Sequence, residues 1–105
     1  MKSIRTRVLL AADDSTLVDG HSISVGDFSR TGRDDIIVGE RGGKRGVYLY
    51  RLENDVTDSW STTPLDPGGM AAAGCAVTDL NGDTRPDVIC SGSATAHLKW
   101  YENRP

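Results

Sequence analysis

The chain has 105 residues, enough for one modest domain but a small size for a self-sufficient catalytic domain. Twelve basic and fifteen acidic residues give a formal net charge of −3, so no broad positive field would attract nucleic acid or an anionic membrane. The first apolar run is too short for a signal peptide because Asp13 and Asp14 interrupt it, and no run is long enough to span a membrane. We therefore expect a cytoplasmic protein, although a segment of an extracellular parent would look the same.

Short apolar or alternating runs, separated by turn residues, predict an all-β chain. In chain order the predicted strands cover residues 4–10, 21–26, 35–39, 46–53, 60–65, 74–78, 87–90 and 97–102. Asp-Gly, Gly-Gly, Pro-Gly and Asn-Gly pairs between them supply the φ angles that tight turns need. No stretch holds a helical period with caps at both ends, so helix should be nearly absent.

The two cysteines, Cys75 and Cys90, do not form a metal-ligand pattern or a disulfide scaffold. Each lies in an apolar context typical of a strand. An unpaired cysteine behaves as a small hydrophobic residue, so we expect two buried free thiols.

An internal repeat is the most informative feature of the sequence. Residues 24–38 align with residues 76–90 without a gap, and Asp27 matches Asp79 at a separation of 52. A Glu-Asn pair near the end of each copy matches at a separation of 49, and we place the difference of three in the hairpin at 39–46. A period near 50 residues is typical of a propeller blade.

The second copy carries the sharper motif, Val-x-Asp-Leu-Asn-Gly-Asp-Thr-Arg-Pro-Asp-Val-Ile at 77–89, closed by Lys-Trp-Tyr-Glu-Asn at 99–103. It resembles the FG-GAP or VCBS repeats of integrin-like and fungal-lectin-like propellers, and the resemblance covers almost the whole chain. The resemblance implies two four-stranded antiparallel blades, with repeats at 1–54 and 55–105. Such propellers serve as lectins, adhesion modules and sugar-acting enzymes, so the activity has to be argued separately.

The strand order that the resemblance implies leaves the ring incomplete. In such propellers the outermost strand of a blade is supplied by the beginning of the next repeat. Strand 60–65 would therefore complete the first blade, whereas the second blade would lack an outer strand. We expect strand 4–10 of one copy to be donated to the second blade of a neighbouring copy, because open sheet edges favour such pairing. A homotrimer would have the six blades that we favour, and a homotetramer would have eight.

The Asp-rich loops are candidate calcium sites. Side-chain oxygens at alternate positions, together with a backbone carbonyl, could converge on one hard cation. In the second copy these ligands would come from Asp79, Asn81, Asp83, Arg85 and Asp87, and in the first copy from Asp27, Ser29, Thr31 and Asp35. The alternative is that Asp and Asn side chains only accept hydrogen bonds from turn amides. We expect any bound Ca²⁺ to be structural and to bind more weakly in the first loop.

Aromatic and basic residues are the candidates for ligand binding. Aromatic rings could stack on sugars, and cations in a flexible hairpin could bind a phosphate or an acidic sugar. The residues concerned are Trp60, Trp100, Tyr101, Arg41, Lys44 and Arg45. The alternation around the aromatic residues favours packing between or outside the blades, and a solvated hairpin is the simpler interpretation of the cations.

Three functional interpretations follow. The first, which we favour, is a non-catalytic, self-assembling propeller module with a binding surface, for which a glycan is the candidate ligand. The second is a fragment of a sugar-acting enzyme, because residues 32–39 and 46–50 resemble blades of sugar dehydratases and polysaccharide lyases. The third is a purely structural or engineered assembly unit. No nucleophile motif accompanies the serines and threonines, so we expect no enzyme activity.

Overall fold

The computed structural model describes residues 17–95 and 97–105, together with Ile4 and Leu10. This part of the chain forms seven strands and no helix: β1 (Gly20–Gly26), β2 (Asp35–Glu40), β3 (Gly46–Asn54), β4 (Ser59–Pro67), β5 (Ala72–Thr78), β6 (Asp87–Gly92) and β7 (Leu98–Tyr101). The all-β prediction is confirmed, with strand ends within two residues of those predicted. Apart from its two end residues, the predicted strand at 4–10 lies outside the described residues.

The strands form two antiparallel sheets. The first sheet has the order β1-β2-β3-β4, and the second has the order β5-β6-β7. The pairing of β3 with β4 confirms that strand 60–65 belongs to the first sheet. In the second sheet β7 pairs with β6, and no fourth strand follows it among the described residues. Closure into a ring stays a prediction.

The registers correct the repeat alignment at the hairpins. Gly39 pairs with Val47 in the first sheet, and Ser91 pairs with Leu98 in the second. Seven residues separate the first pair and six the second, so the first hairpin is longer by one residue. The prediction that it is longer by three is wrong. The remaining two residues of the three-residue difference between the copies lie in β3 after Tyr50, where β3 continues to pair with β4.

One face of each sheet packs against the other sheet and forms the main core. These inner faces contribute Ile37, Val47 and Leu49 from the first sheet and Val88 and Cys90 from the second, with Phe28, Met70 and Ala72 from adjoining positions. The sheets approach so closely that a Cβ on Gly39 would lie 2.7 Å from the Cβ of Ala72 and 3.1 Å from the Sγ of Cys75. Only glycine fits there, because the neighbouring atoms belong to a packed core.

The opposite faces of the two sheets carry exposed apolar side chains, although Leu17 and Trp60 pack against part of the first of these faces. The first outer face is the side of the first sheet that carries Ile23, Val25, Ile36, Val38 and Tyr50. The second outer face is the side of the second sheet that carries Ala76, Ile89, Leu98 and Trp100. Every exposed large apolar side chain within a described strand lies on one of these two faces.

Cys75 and Cys90 form a disulfide, so the prediction of two free thiols is wrong. The two residues are direct partners in the register of β5 and β6, with Cα atoms 4.1 Å apart. Directly opposed positions on antiparallel strands bring side chains close together, which explains the pairing. The sequence separation of 15 did not reveal it because the register was not yet known.

The described residues contain no helix of the length and hydropathy needed to cross a membrane.

Candidate metal and ligand sites

Equivalent loops connect the first two strands of each sheet, and an aspartate organises each of them. The Asp27 carboxylate accepts hydrogen bonds from the backbone N–H groups of Thr31 (2.9 Å) and Gly32 (2.8 Å). The Asp79 carboxylate accepts them from Gly82, Asp83 and Thr84, at 2.9, 3.2 and 2.8 Å. Each aspartate therefore caps its own turn.

The backbone of the two loops follows the same path with different residues. Positive φ angles occur at Arg30 and Gly32 in the first loop and at Gly82 and Thr84 in the second. These positions match at the repeat separation of 52. Each loop thus uses glycine at one of the two left-handed positions and a larger residue at the other.

These amide contacts change the acidity of the capping aspartates. The N–H of Thr84 is the main cause that lowers the pKa of Asp79, with further contributions from Gly82 and Asp83. The N–H groups of Thr31 and Gly32 likewise lower the pKa of Asp27. Hydrogen bonds to a carboxylate favour its charged form. Both side chains therefore remain anionic acceptors to a lower pH than an ordinary aspartate.

The second loop brings three carboxylates together. Oxygens of Asp79, Asp83 and Asp87 all lie within 4.8 Å of one another. This spacing fits one Ca²⁺, whose ligand oxygens lie about 2.3–2.6 Å from the ion. Asn81 directs its amide nitrogen to Glu102 at 2.8 Å, while its oxygen accepts the N–H of Asp83 at 3.3 Å.

The first loop differs at its last acidic position. Asp35 accepts two hydrogen bonds from the Arg51 guanidinium, at 3.2 and 3.3 Å, and is almost fully buried. Its repeat equivalent, Asp87, instead accepts the backbone N–H groups of Leu80 and Asn103, at 3.1 and 2.8 Å. The charge of Asp35 is thus already paired, whereas no basic side chain is seen against Asp87 among the described contacts. The other first-loop candidates, Ser29 and Thr31, are exposed.

The predicted ligand-binding residues lie at separate places and do not form one site. Trp60 packs against a buried cluster on the first outer face that includes Tyr48 and Tyr50. Trp100 belongs to the second outer face and is 46% exposed. Tyr101 lies between the sheets and donates its hydroxyl to Asp66 at 2.5 Å. The basic candidates Arg41, Lys44 and Arg45 are in the β2–β3 hairpin. Arg41 is 3.9 Å from Asp19.

Asp66 joins the two sheets, a role that the sequence did not reveal. The carboxylate of this β4 residue accepts a hydrogen bond from Lys99 Nζ at 2.7 Å. It also accepts hydrogen bonds from the hydroxyl of Tyr101 and the N–H of Gly69. Burial alone would raise the pKa of Asp66, but the hydrogen bonds from Lys99 and Tyr101 outweigh it and keep the pKa below its ordinary value.

Glu40 is a second residue that sequence reasoning missed. Its side chain is fully buried, and its carboxylate accepts the N–H groups of Val18 (2.6 Å), Asp19 (3.2 Å) and Lys44 (3.1 Å). It therefore ties the segment before β1 to the β2–β3 hairpin. In the second copy the hydroxyl of Thr95 has part of this role, because it accepts a hydrogen bond from the N–H of Ala71 at 2.7 Å.

A cleft of about 270 Å³ opens between the sheets. Its apolar wall is formed by Leu49 and Leu65 of the first sheet and by Val88 and Tyr101 of the second. Polar side chains at its border include Arg51 and Arg104, each paired with a carboxylate.

Two antiparallel sheets that pack face to face, each with an aspartate-capped loop between its first two strands, define a β-repeat protein. Residues 27–90, more than half of the chain, match the family model of the FG-GAP-like repeat. The chain belongs to this family, which confirms the FG-GAP-type repeat that its motifs indicate. Such a repeat indicates a β-propeller-like binding module. No curated protein and no solved structure matches the chain.

Proposed function

We propose that this chain is a non-catalytic binding module that assembles with further copies of itself by exchanging an outer strand. The observation that carries the proposal is the unequal strand count in the part of the chain that the structure describes, with four strands in the first sheet and three in the second. A strand with an unpaired edge readily accepts another strand. The edge of β7 is the equivalent of the β3 edge that β4 covers in the first sheet.

The cleft beside this edge supports the same proposal. Thr63 and Leu65 of β4 line it together with Tyr101 of β7, the last described strand of the second sheet. An added strand would place alternate side chains into the cleft, because successive side chains of a strand point to opposite faces. Residues 4–10 of a neighbouring copy, Ile-Arg-Thr-Arg-Val-Leu-Leu, offer apolar side chains for that position.

The oligomeric mass tests this proposal. We expect size-exclusion chromatography with light scattering to give the mass of three copies of the 11.3 kDa chain, or of four as the alternative, and deletion of residues 1–10 to give a monomer. A full-length chain in which residues 1–10 are scrambled is the matched control for composition and should also fail to assemble. A folded full-length monomer at micromolar concentration would refute the proposal.

We also propose a structural Ca²⁺ in the second loop, held by Asp79, Asp83 and Asp87. Their oxygens have room for the ion beside the hydrogen bonds from backbone N–H groups described above, because each carboxylate offers about four lone-pair positions. A bound Ca²⁺ would offset the repulsion among three neighbouring carboxylates and tighten the loop. The first loop is the weaker candidate, since Arg51 already neutralises Asp35.

Calcium titration with one substitution tests the metal proposal. We expect heat of binding and a higher melting temperature when Ca²⁺ is added after chelation, and at least a tenfold weaker affinity in Asp83→Asn. The control is Asp34→Asn, an exposed aspartate at the end of the first loop that is not among the proposed ligands, and this variant should bind Ca²⁺ in the second loop as the parent does. An absence of heat and of any thermal shift in the parent protein would leave only the turn-capping role.

The proposed module offers its binding surface once assembled, and carbohydrate is the ligand class that the sequence suggests. A glycan array probed with the assembled protein tests this point. Binding would support a lectin-like role, whereas a blank array would favour the purely structural interpretation. Turnover of an anhydro-sugar or a uronate polymer by the assembled protein would instead support the enzyme interpretation.

A further inference from the structure

The two outer faces of the chain are repeat equivalents of the two inner faces that already pack together. At the repeat separation of 52, Val25 and Ile36 of the first outer face correspond to Val77 and Val88 of the second sheet. Val77 and Val88 belong to the core between the sheets. The first outer face therefore repeats the surface that the second sheet presents to the first.

The same relation holds for the other pair of faces. In the first sheet Ile37 pairs with Leu49, and in the second sheet Ile89 pairs with Trp100 at the equivalent position. Ile37 and Leu49 are buried in the core, whereas Ile89 and Trp100 lie on the second outer face. The second outer face is thus the counterpart of the surface that the first sheet presents to the second.

The exposed fractions of the side chains on the two outer faces, and the shapes of these faces, agree with their being counterparts. Ile23 and Val25 on the first outer face are 72% and 52% exposed, and Leu98 and Trp100 on the second are 67% and 46% exposed. The first outer face also contains a cavity of about 220 Å³, lined by Ile23, Ile36, Val38 and Tyr50 together with Leu10 and Leu17. Exposed apolar surface of this kind marks an interaction site. The described residues of one face line an apolar cavity, and the other face carries a large aromatic side chain.

A buried hydroxyl without a hydrogen-bond partner also supports contact with a further sheet. Tyr50 is 3% exposed, and its hydroxyl has no hydrogen-bond partner among the described residues. Its register equivalent in the second sheet, Tyr101, pairs with Val88 as Tyr50 pairs with Ile36, and it donates to Asp66 of the adjoining sheet. A buried hydroxyl without an acceptor is destabilising, and the contact of Tyr101 shows that an adjoining sheet can supply an acceptor at this position of the repeat.

We propose that the second outer face of one copy docks onto the first outer face of another copy, and so repeats between chains the contact that joins the two sheets within each chain. This inference rests on the proposed self-assembly and names the surfaces that carry it. The contact is heterologous, since two different faces meet. Each copy therefore has one donor face and one acceptor face, and assembly proceeds head to tail.

Substitutions on the two faces test this arrangement in the full-length chain. Val25→Lys blocks the first outer face, and Trp100→Lys blocks the second. Each variant alone should be a monomer by light scattering, because every contact needs one face of each kind. Mixed in equal amounts, the two should form a one-to-one dimer, because one intact contact remains possible. Val56→Lys is the matched control: it is 88% exposed in the β3–β4 turn, outside both faces, and should assemble as the parent does.

The outcomes separate this inference from the proposed function. A monomeric parent protein would refute self-assembly and the docking together. A parent that assembles while both variants keep its mass would refute the docking alone and leave strand exchange in place. Dimerisation of either variant by itself would show a two-fold contact and would also refute the head-to-tail arrangement. Circular dichroism checks folding, and Ile23→Lys with Leu98→Lys replaces the pair if either variant is unfolded.

Discussion

Replacing Glu40 by alanine should lower the free energy of unfolding by roughly 3 kcal/mol, which makes it one of the two most damaging single changes that we expect. The substitution removes the acceptor of three backbone N–H groups in a buried or partly buried setting, those of Val18, Asp19 and Lys44. In such a setting an amide without an acceptor keeps its desolvation cost, and no hydrogen bond offsets that cost. Urea denaturation monitored by circular dichroism measures the change.

The control for this prediction is Glu53→Ala. Glu53 is exposed near the end of β3 and accepts a single hydrogen bond, from the hydroxyl of Ser61 at 2.6 Å. An exposed contact of this kind contributes at most about 1 kcal/mol. Equal losses of stability in the two variants would contradict the role that we assign to Glu40.

Replacing Asp66 by asparagine should cost roughly 2 kcal/mol, because the charge-assisted bond from Lys99 is lost and the bond from Tyr101 is weakened. Lys99 retains some access to solvent, since its side chain is 38% exposed, so the loss should be smaller than for a fully buried pair. The contact between the two sheets should loosen, and thermal unfolding should begin at a lower temperature.

The same variant has a pH signature. The pKa of Asp66 is lower in the folded protein than its ordinary value of 3.8, so its contribution to stability is complete above that value and is lost as the pH falls through the folded pKa. The stability difference between the parent and Asp66→Asn should therefore be constant from pH 5 to pH 8 and shrink below about pH 4. Asp34→Asn, which changes an exposed aspartate, should show no such stability difference from the parent at neutral pH. A parent-variant difference that is independent of pH down to pH 2 would contradict the assignment.

The repeat explains why the strands and loops could be predicted from the sequence. Asp27 and Asp79 recur at one separation, and the structure gives both the same turn-capping bonds. Turn residues bounded the strands well because the φ angles that they supply are local properties. The assignment of strand 60–65 to the first sheet followed from the strand order of the family that the motif resembled.

The remaining features depend on contacts between distant parts of the chain. The disulfide and the hairpin length both follow from strand register, which a one-residue shift would change. Asp66 and Glu40 appeared in the sequence as ordinary polar residues at strand ends. Their importance arises from partners that lie 33 and 22 positions away in Lys99 and Val18, which no local pattern indicates.

The two aspartate-capped loops lie side by side, since the guanidinium of Arg30 donates to the hydroxyl of Thr84 at 2.7 Å. A head-to-tail ring of the kind proposed would repeat this pair once per copy around a single rim. A ligand that meets one loop pair weakly would then meet several identical pairs at fixed spacing. Multivalent partners, such as a polymer or a cell surface with repeated groups, would be held far more tightly than their isolated units, and dissociation of the ring would abolish that avidity without altering any single loop.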